Sequence, residues 1–411
     1  MPQPVQIGWI DLGSRDKNKI LSVLSLLYAA EAVDELGIGV IRDGFADVLF
    51  PGTSTVQTRA KYFLIVPFIL MELERERNLT PRALLDRLAK EEIALINQLK
   101  KGNAEGVIGG RSGERLQKKP SSIYWNGLYT YGIFRSTVRL SLDEYAHAVC
   151  TLNRTKARIT SAVHADRGED TDDTGISSGI IGTFWRAPIP PPDWRERVTV
   201  ELTKDEAQFL RDKIISSEHS KNSLLASILR SNSYEVKDYD DISLIKGMVN
   251  LPDDIRSDYE MAVRFSEFIY GANIRYNIIL SNGENEDANE AWNEWYERVT
   301  AGFIQNYNVS EPFVRLSVSG RNRARIYPFV KQWKQVVIDG DVTAMDDLII
   351  KREIQLKGKE RAKLKNSGVY RWKEGVWLGG GKLQYRFRNA RRLIADIYNG
   401  LEGNDSDVQA N

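Results

Sequence analysis

The most coherent hydrophobic pattern runs through residues 34–74, DELGIGVIRDGFADVLFPGTSTVQTRAKYFLIVPFILMELE. Ile41, Phe45 and Leu49 recur at helical spacing and predict a helix from Val40 to Phe50, after Gly37 and Gly39 have punctuated the preceding one. Pro51 and Gly52 turn the chain. Ser54 followed by Gln57 has the form of an S-x-x-Q capping box, so a further helix is predicted from Ser54 through Leu73. Its first two turns are polar (Thr55, Gln57, Thr58, Arg59, Lys61), whereas Tyr62 to Met71 is apolar on every side. Such a helix combines a buried body with an exposed, donor-rich N-terminus.

Amphipathic spacing recurs along the rest of the chain. IGWIDL (7–12) reads as a short strand or extended lead-in, and Ser14 caps a helix carrying Ile20, Leu24 and Leu27. Thr80 and Pro81 form an N-cap and N1 pair for a helix with Leu84, Leu88, Leu95 and Leu99. Ser141 with Glu144 and Thr203 with Glu206 are further capping boxes. Leu251, Pro252 and Asp253 open a long helix with Phe265, Ile269 and Tyr276, and further helices fit 286–307, 322–338, 341–366 and 382–398. Few runs have the two-residue period of a strand, so the fold class is mainly α. Residues 165–195 change character, from the acidic ADRGEDTDDTGISSG to APIPPPDW. Two helical lobes are expected, 1–164 and 198–401, joined by an acidic and proline-rich linker over 165–197 and followed by a disordered tail over 402–411.

Composition narrows the classes. With 57 basic and 56 acidic side chains in 411 residues the net charge is +1, so attraction to a polyanion must come from local clustering. A single cysteine, Cys150, excludes an internal disulfide framework and fits a reducing cytoplasm. The start, MPQPVQIGWIDLG, lacks the charged and apolar regions of a secretion signal. Tyr62 to Met71 is about half the length that spans a bilayer and contains Pro67, so no membrane association is expected.

The candidate chemistry is cationic. Val40 to Leu70 has a helix-turn-helix-like outline in which Thr55, Thr58, Arg59 and Lys61 would face nucleic acid; the alternative is a helix hairpin with Arg59 paired to Asp43 or Asp47. GVIGGRSG (106–113) lacks the lysine and hydroxyl of a phosphate loop, but its backbone N–H groups, with Arg111 and Lys119, could hold a nucleic-acid phosphate; a plain connector is the other reading. Between Lys351 and Arg392 fourteen Lys or Arg face three acids, a net of +11, interleaved with Tyr370, Trp372, Trp377, Tyr385 and Phe387. Lys357, Arg361, Lys365, Arg386, Arg388 and Arg392 are the candidate phosphate contacts there. Against this stand a solvated face or pairing with the acidic run near Asp170. Enzymatic patterns are weak. His147, His164 and His219 have no metal-ligand spacing, the acids at 166–173 lack the order of a calcium loop, and Cys150 has only His147 nearby, so no catalytic residue, metal or cofactor is assigned.

The blocks GWIDLGSRDKNK (8–19), DELGIGVIRDGFADVLFPGTSTVQTRAKYF (34–63), PSSIYWNGLYTYGI (120–133), RFSEFIYGANIRYNIIL (264–280) and KREIQLKGKERAKLKN (351–366) resemble an uncharacterised bacterial and archaeal family, domain of unknown function family 6361. The resemblance implies a cytoplasmic prokaryotic protein whose gene lies near helicases and phospholipase-D-like nucleases in anti-phage defence loci, and it carries no catalytic residues. Together these readings give a non-enzymatic accessory subunit that contacts DNA phosphates through Arg59, Lys61, Arg111, Lys119, Lys357, Arg361, Lys365, Arg386, Arg388 and Arg392 and meets a helicase or nuclease partner. The alternatives are a protein-interaction scaffold without nucleic-acid contact and, third, a nuclease.

Overall fold

The structure is a computed structural model that describes residues 34–76, 78–101, 105–166, 184–366, 369–378 and 380–403, without the side chains of 114 and 157–166. The expected elements before residue 34, the acidic run from 167 to 183 and the last residues from 404 lie outside it. The described chain is mainly helical. In order the main helices are α1 (Gly39–Leu49), α2 (Tyr62–Leu73), α3 (Pro81–Leu99), α4 (Pro120–Thr130), α5 (Leu142–Asp166), α6 (Lys204–Ser216), α7 (Leu224–Ser231), α8 (Asp253–Leu280), α9 (Glu286–Arg298), α10 (Gly320–Asp339), α11 (Val342–Lys357) and α12 (Phe387–Glu402). Among the described residues there is no strand; Phe134 and Trp185 form an isolated antiparallel bridge.

Two compact units form, and neither is continuous in sequence: one takes residues up to Phe45 and then Glu260–Leu383, the other Ala46–Tyr259 and the chain from Gln384. This division differs from a cut at the proline-rich stretch, which lies wholly within the second unit. Two buried tryptophans hold that stretch. Trp185 donates to Glu74 at 2.8 Å, and Trp194 packs edge-on against Phe68 and donates to Glu72 at 2.6 Å. An indole that finds an acceptor can be buried without penalty, and that anchors an otherwise extended proline segment.

In the first unit α8, α9, α10 and α11 close around stacked aromatics. Trp295 and Trp333 lie 6.2 Å apart, and their indoles donate to the α8 carbonyls of Glu267 and Phe268. A Cβ at Gly271 would collide with the Trp295 ring, so glycine is what lets α9 approach α8 this closely. In the second unit α2 is the central helix: Tyr62 through Leu70 are all buried, and α3 and α4 pack against it. Helix α12 packs mainly on α6, with Phe387, Leu393, Ile394 and Ile397 inward; at Gly400 a Cβ would press on Ala207, again a close helix crossing.

The helix predicted from Ser54 begins only at Tyr62. Residues 51–61 form turns, and in place of a capping box Gln57 accepts from the Ser54 N–H at 3.2 Å while its amide donates to the Gly52 carbonyl at 3.0 Å. The helix-turn-helix-like outline therefore consists of two helices with their polar residues in the intervening turns. The caps at Thr80, Ser141 and Thr203 form as predicted, Glu206 completing its box. Helix α12 reaches Glu402, and Gly403 follows with φ of +76°, so residue 402 belongs to the helix and not to a tail.

Candidate nucleic-acid interface

The polar turns at 51–61 present their donors inward. Tyr124 from α4 is fully buried, and its hydroxyl accepts from the N–H groups of Thr58 (2.9 Å) and Arg59 (3.1 Å) while donating to the Arg59 carbonyl at 2.8 Å. Asp396 of α12 accepts from the Ala60 N–H at 2.7 Å and from the Arg59 guanidinium at 2.9–3.0 Å. Burial pushes the Asp396 carboxyl above its ordinary range, opposed by the Arg59 bonds and charge. Lys61 reaches Glu206 at 2.5–2.7 Å, the same carboxylate that caps α6. Arg59 and Lys61, expected on a nucleic-acid face, are thus neutralised inside the second unit, and Arg59 takes Asp396 rather than Asp43 or Asp47. A buried carboxylate requires a cation or several donors, and these two supply them.

The glycine-rich loop is fixed at its base. Thr58 Oγ1 donates to the Gly106 carbonyl at 2.6 Å, Arg59 Nη1 donates to the Glu105 carbonyl at 3.1 Å, and the Ile108 N–H donates to Tyr62 at 2.9 Å. Arg111 is exposed on the loop, whereas Lys119 folds back to the Leu116 carbonyl at 3.3 Å. Next to it Glu92, from α3, accepts from the Ser121 N–H and hydroxyl at the start of α4. Burial pushes the Glu92 carboxyl up to about 7 despite those bonds.

The basic stretch beginning with α11 divides in the same way. Glu35 and Glu353 are buried in the first unit, and Lys357 pairs with both. Lys363 pairs with Glu35 at 2.6 Å, Tyr276 donates to Glu353 at 2.7 Å, and the Leu364 N–H reaches the other Glu353 oxygen at 3.0 Å. Burial, with the charge of Lys363, pushes the Lys357 ammonium down to about 8. Arg352 is buried too, donating to the carbonyls of Leu36, Gly37 and Arg325. Lys357 is therefore a structural cation and not a phosphate contact. In the second unit Arg386 pairs with Asp47 at 2.6 Å and donates to the Thr53 carbonyl, again a correction to its expected role.

Arg361, Lys365, Arg388 and Arg392 face water, Arg361 with its Nε on the Lys357 carbonyl. Of the ten expected contacts, the exposed ones are these four and Arg111. A further exposed set lies outside the ten expected contacts: residues 312–338 hold six Lys or Arg and no acid. Arg321, Arg325 and Lys331 of α10 are exposed, and among the described residues no carboxylate pairs with them. An acid-free window of that length was the available signal.

The remaining candidate groups stand apart among the described residues. Cys150 is buried, and its thiol is pushed up by burial; His147 is near Asp143, and His219 stacks on Tyr129 at 5.3 Å. Among the described residues no group of three or more His, Cys, Asp or Glu could hold a metal ion, and no helix is long and apolar enough to cross a membrane.

Compared with known families, the chain matches a family of unknown function (DUF6361) over residues 5–142 and 183–400, and it belongs to that family. No curated protein and no solved structure matches it.

Proposed function

We propose that this chain is a non-enzymatic accessory subunit of a prokaryotic anti-phage defence system, cytoplasmic, which holds DNA by its phosphates and works with a helicase or nuclease of the same operon. The observation that carries the reading is the set of exposed cations: Arg111, Arg388 and Arg392 in the second unit, Arg361 and Lys365 in the first. On a chain of net charge +1, cations that face water in groups supply the local attraction that the whole molecule lacks. Contacts of this kind position a duplex without reading its sequence.

The test is binding of a labelled duplex to the purified chain, followed by fluorescence anisotropy as salt is raised from about 50 to 200 mM. Affinity should fall steeply, and reversing Arg361, Arg388 and Arg392 to Glu should reduce the slope of log affinity against log salt by about 2 to 3. Absence of binding at the low-salt end removes the reading. A scaffold role is favoured by a different observation, the exposed Pro188–Pro192 stretch in which Ile189 is 78% exposed between anchored tryptophans. Co-purification of a partner that survives nuclease treatment and is lost on replacing that stretch would favour the scaffold.

A further inference from the structure

Helix α10 presents a surface that none of the contacts above uses. Ile326, Phe329, Val330, Trp333 and Val337 form its buried stripe. The opposite side exposes Arg321, Arg325, Lys331, Gln332 and Gln335, which extend over about 21 Å at 1.5 Å per residue. Every polar side chain in that set carries N–H donors, and the next acid on the helix is Asp339, which accepts from the Gln335 amide at 2.8 Å and so ends the cationic face. Arg323 stands beside them, its guanidinium 5.7 Å from the Phe313 ring and 5.1 Å from the Tyr327 ring, which limits its rotamers without neutralising it.

An idle protein surface mixes the two signs of charge. Here they are segregated. Trp295 of α9 stacks on Trp333 of α10, and the exposed charged residues of α9 are mostly acidic, Glu286, Asp287, Glu290, Glu294 and Glu297, with Arg298 at its C-terminal end paired to Glu267. Among the described residues no ion pair joins the two helices, although both belong to one unit. Between Arg321 and Gln335 the exposed residues of α10 are Arg, Lys, Gln, Ala and Pro, with no aromatic or aliphatic anchor of the kind on which a protein partner's affinity is concentrated; the exposed Ile338 stands past that stretch, at the end of the helix. Phosphate contact needs no such anchor, since its free energy comes from charge and counterion release.

We propose that the exposed face of α10, through Arg321, Arg325 and Lys331 with the amide of Gln332, is a sequence-independent contact for the phosphate backbone of duplex DNA. This rests on the nucleic-acid reading above and locates its principal surface in the first unit. The full-length chain carrying Arg321→Glu, Arg325→Glu and Lys331→Glu is titrated with the labelled duplex at several salt concentrations, beside the wild type and an Arg388→Glu/Arg392→Glu variant. The α10 variant should lose on the order of 100-fold in affinity at low salt, and its salt slope should fall by about 3, more than in the α12 variant. The corresponding triple Gln variant, which removes charge without adding repulsion, should show a smaller loss in the same direction, and thermal melts report whether each variant is folded. Wild-type affinity and slope in both folded α10 variants overturn the α10 assignment and leave the general reading in place. Failure of the wild type to bind at low salt overturns both.

Discussion

Helices α10 and α11 lie in the same unit and both carry cations, yet Arg321, Arg325 and Lys331 of the one and Arg352 and Lys357 of the other end in opposite environments. Near α11 two buried acids, Glu35 and Glu353, draw in Lys357, Lys363 and the Tyr276 hydroxyl. Near α10, among the described residues, no carboxylate pairs with Arg321, Arg325 or Lys331, and they stay in water. The difference teaches that a basic run in sequence reports nothing by its size alone. What sorts its members is where the fold buries carboxylates, because a buried carboxylate is costly until a cation or several donors satisfy it.

The largest expected effect breaks the paired side of this comparison. Glu353→Ala leaves the Leu364 N–H without its acceptor, takes from Tyr276 and Lys357 one of the two carboxylates each of them meets, and should destabilise the fold by about 3 to 5 kcal/mol. Chemical denaturation measures it, and a loss below about 1 kcal/mol would show that the cluster is ornamental.

Next comes a buried acid that has hydrogen bonds but no ion-pair partner. Glu92 has its folded value raised from 4.5 to about 7, so over this range the folded chain holds a proton that the unfolded chain releases. Ionisation of Glu92 therefore weakens the fold progressively as pH rises from 4.5 to about 7, and not further above that. The total is about 3 kcal/mol, and Glu92→Gln should flatten this part of the stability profile. An unchanged profile in the variant would assign the slope to other groups.

The smallest effect belongs to the water-facing side. Replacing Arg321, Arg325 and Lys331 by Ala should change stability by less than about 0.5 kcal/mol per site, since each side chain is exposed and unpaired with acid. A larger loss in equilibrium denaturation would mean that α10 uses its cations structurally, and the contrast with α11 would disappear.

Local signals in the sequence carried the helices and several of their ends. Thr80 accepts from the Ala83 N–H, and Thr203 and Glu206 close their box, because an N-cap depends on residues within one turn. The start of α2 was misplaced because Ser54 and Gln57 have the capping pattern, but Tyr124 and Asp396 hold Thr58 to Ala60 in turns. The roles of the lysines were less legible still. Lys363 meets Glu35 across 328 positions, and Arg59 meets Asp396 across 337, separations over which neither periodicity nor charge counting has any reach. The two units were hidden for a related reason: each is assembled from stretches far apart in the chain, whereas composition shifts mark only breaks between neighbours. The α10 face is legible in the sequence, as six cations and no acid between Pro312 and Ile338, ahead of the denser run that begins at Lys351.

Glu206 serves two masters, closing the first turn of α6 and receiving the ammonium of Lys61, 145 positions upstream. A lineage that drifts at this glutamate therefore frays a helix end and strands a lysine in the same mutational step. Such double employment ties the first turn of α6 to the turns before α2, so that loosening one loosens the other.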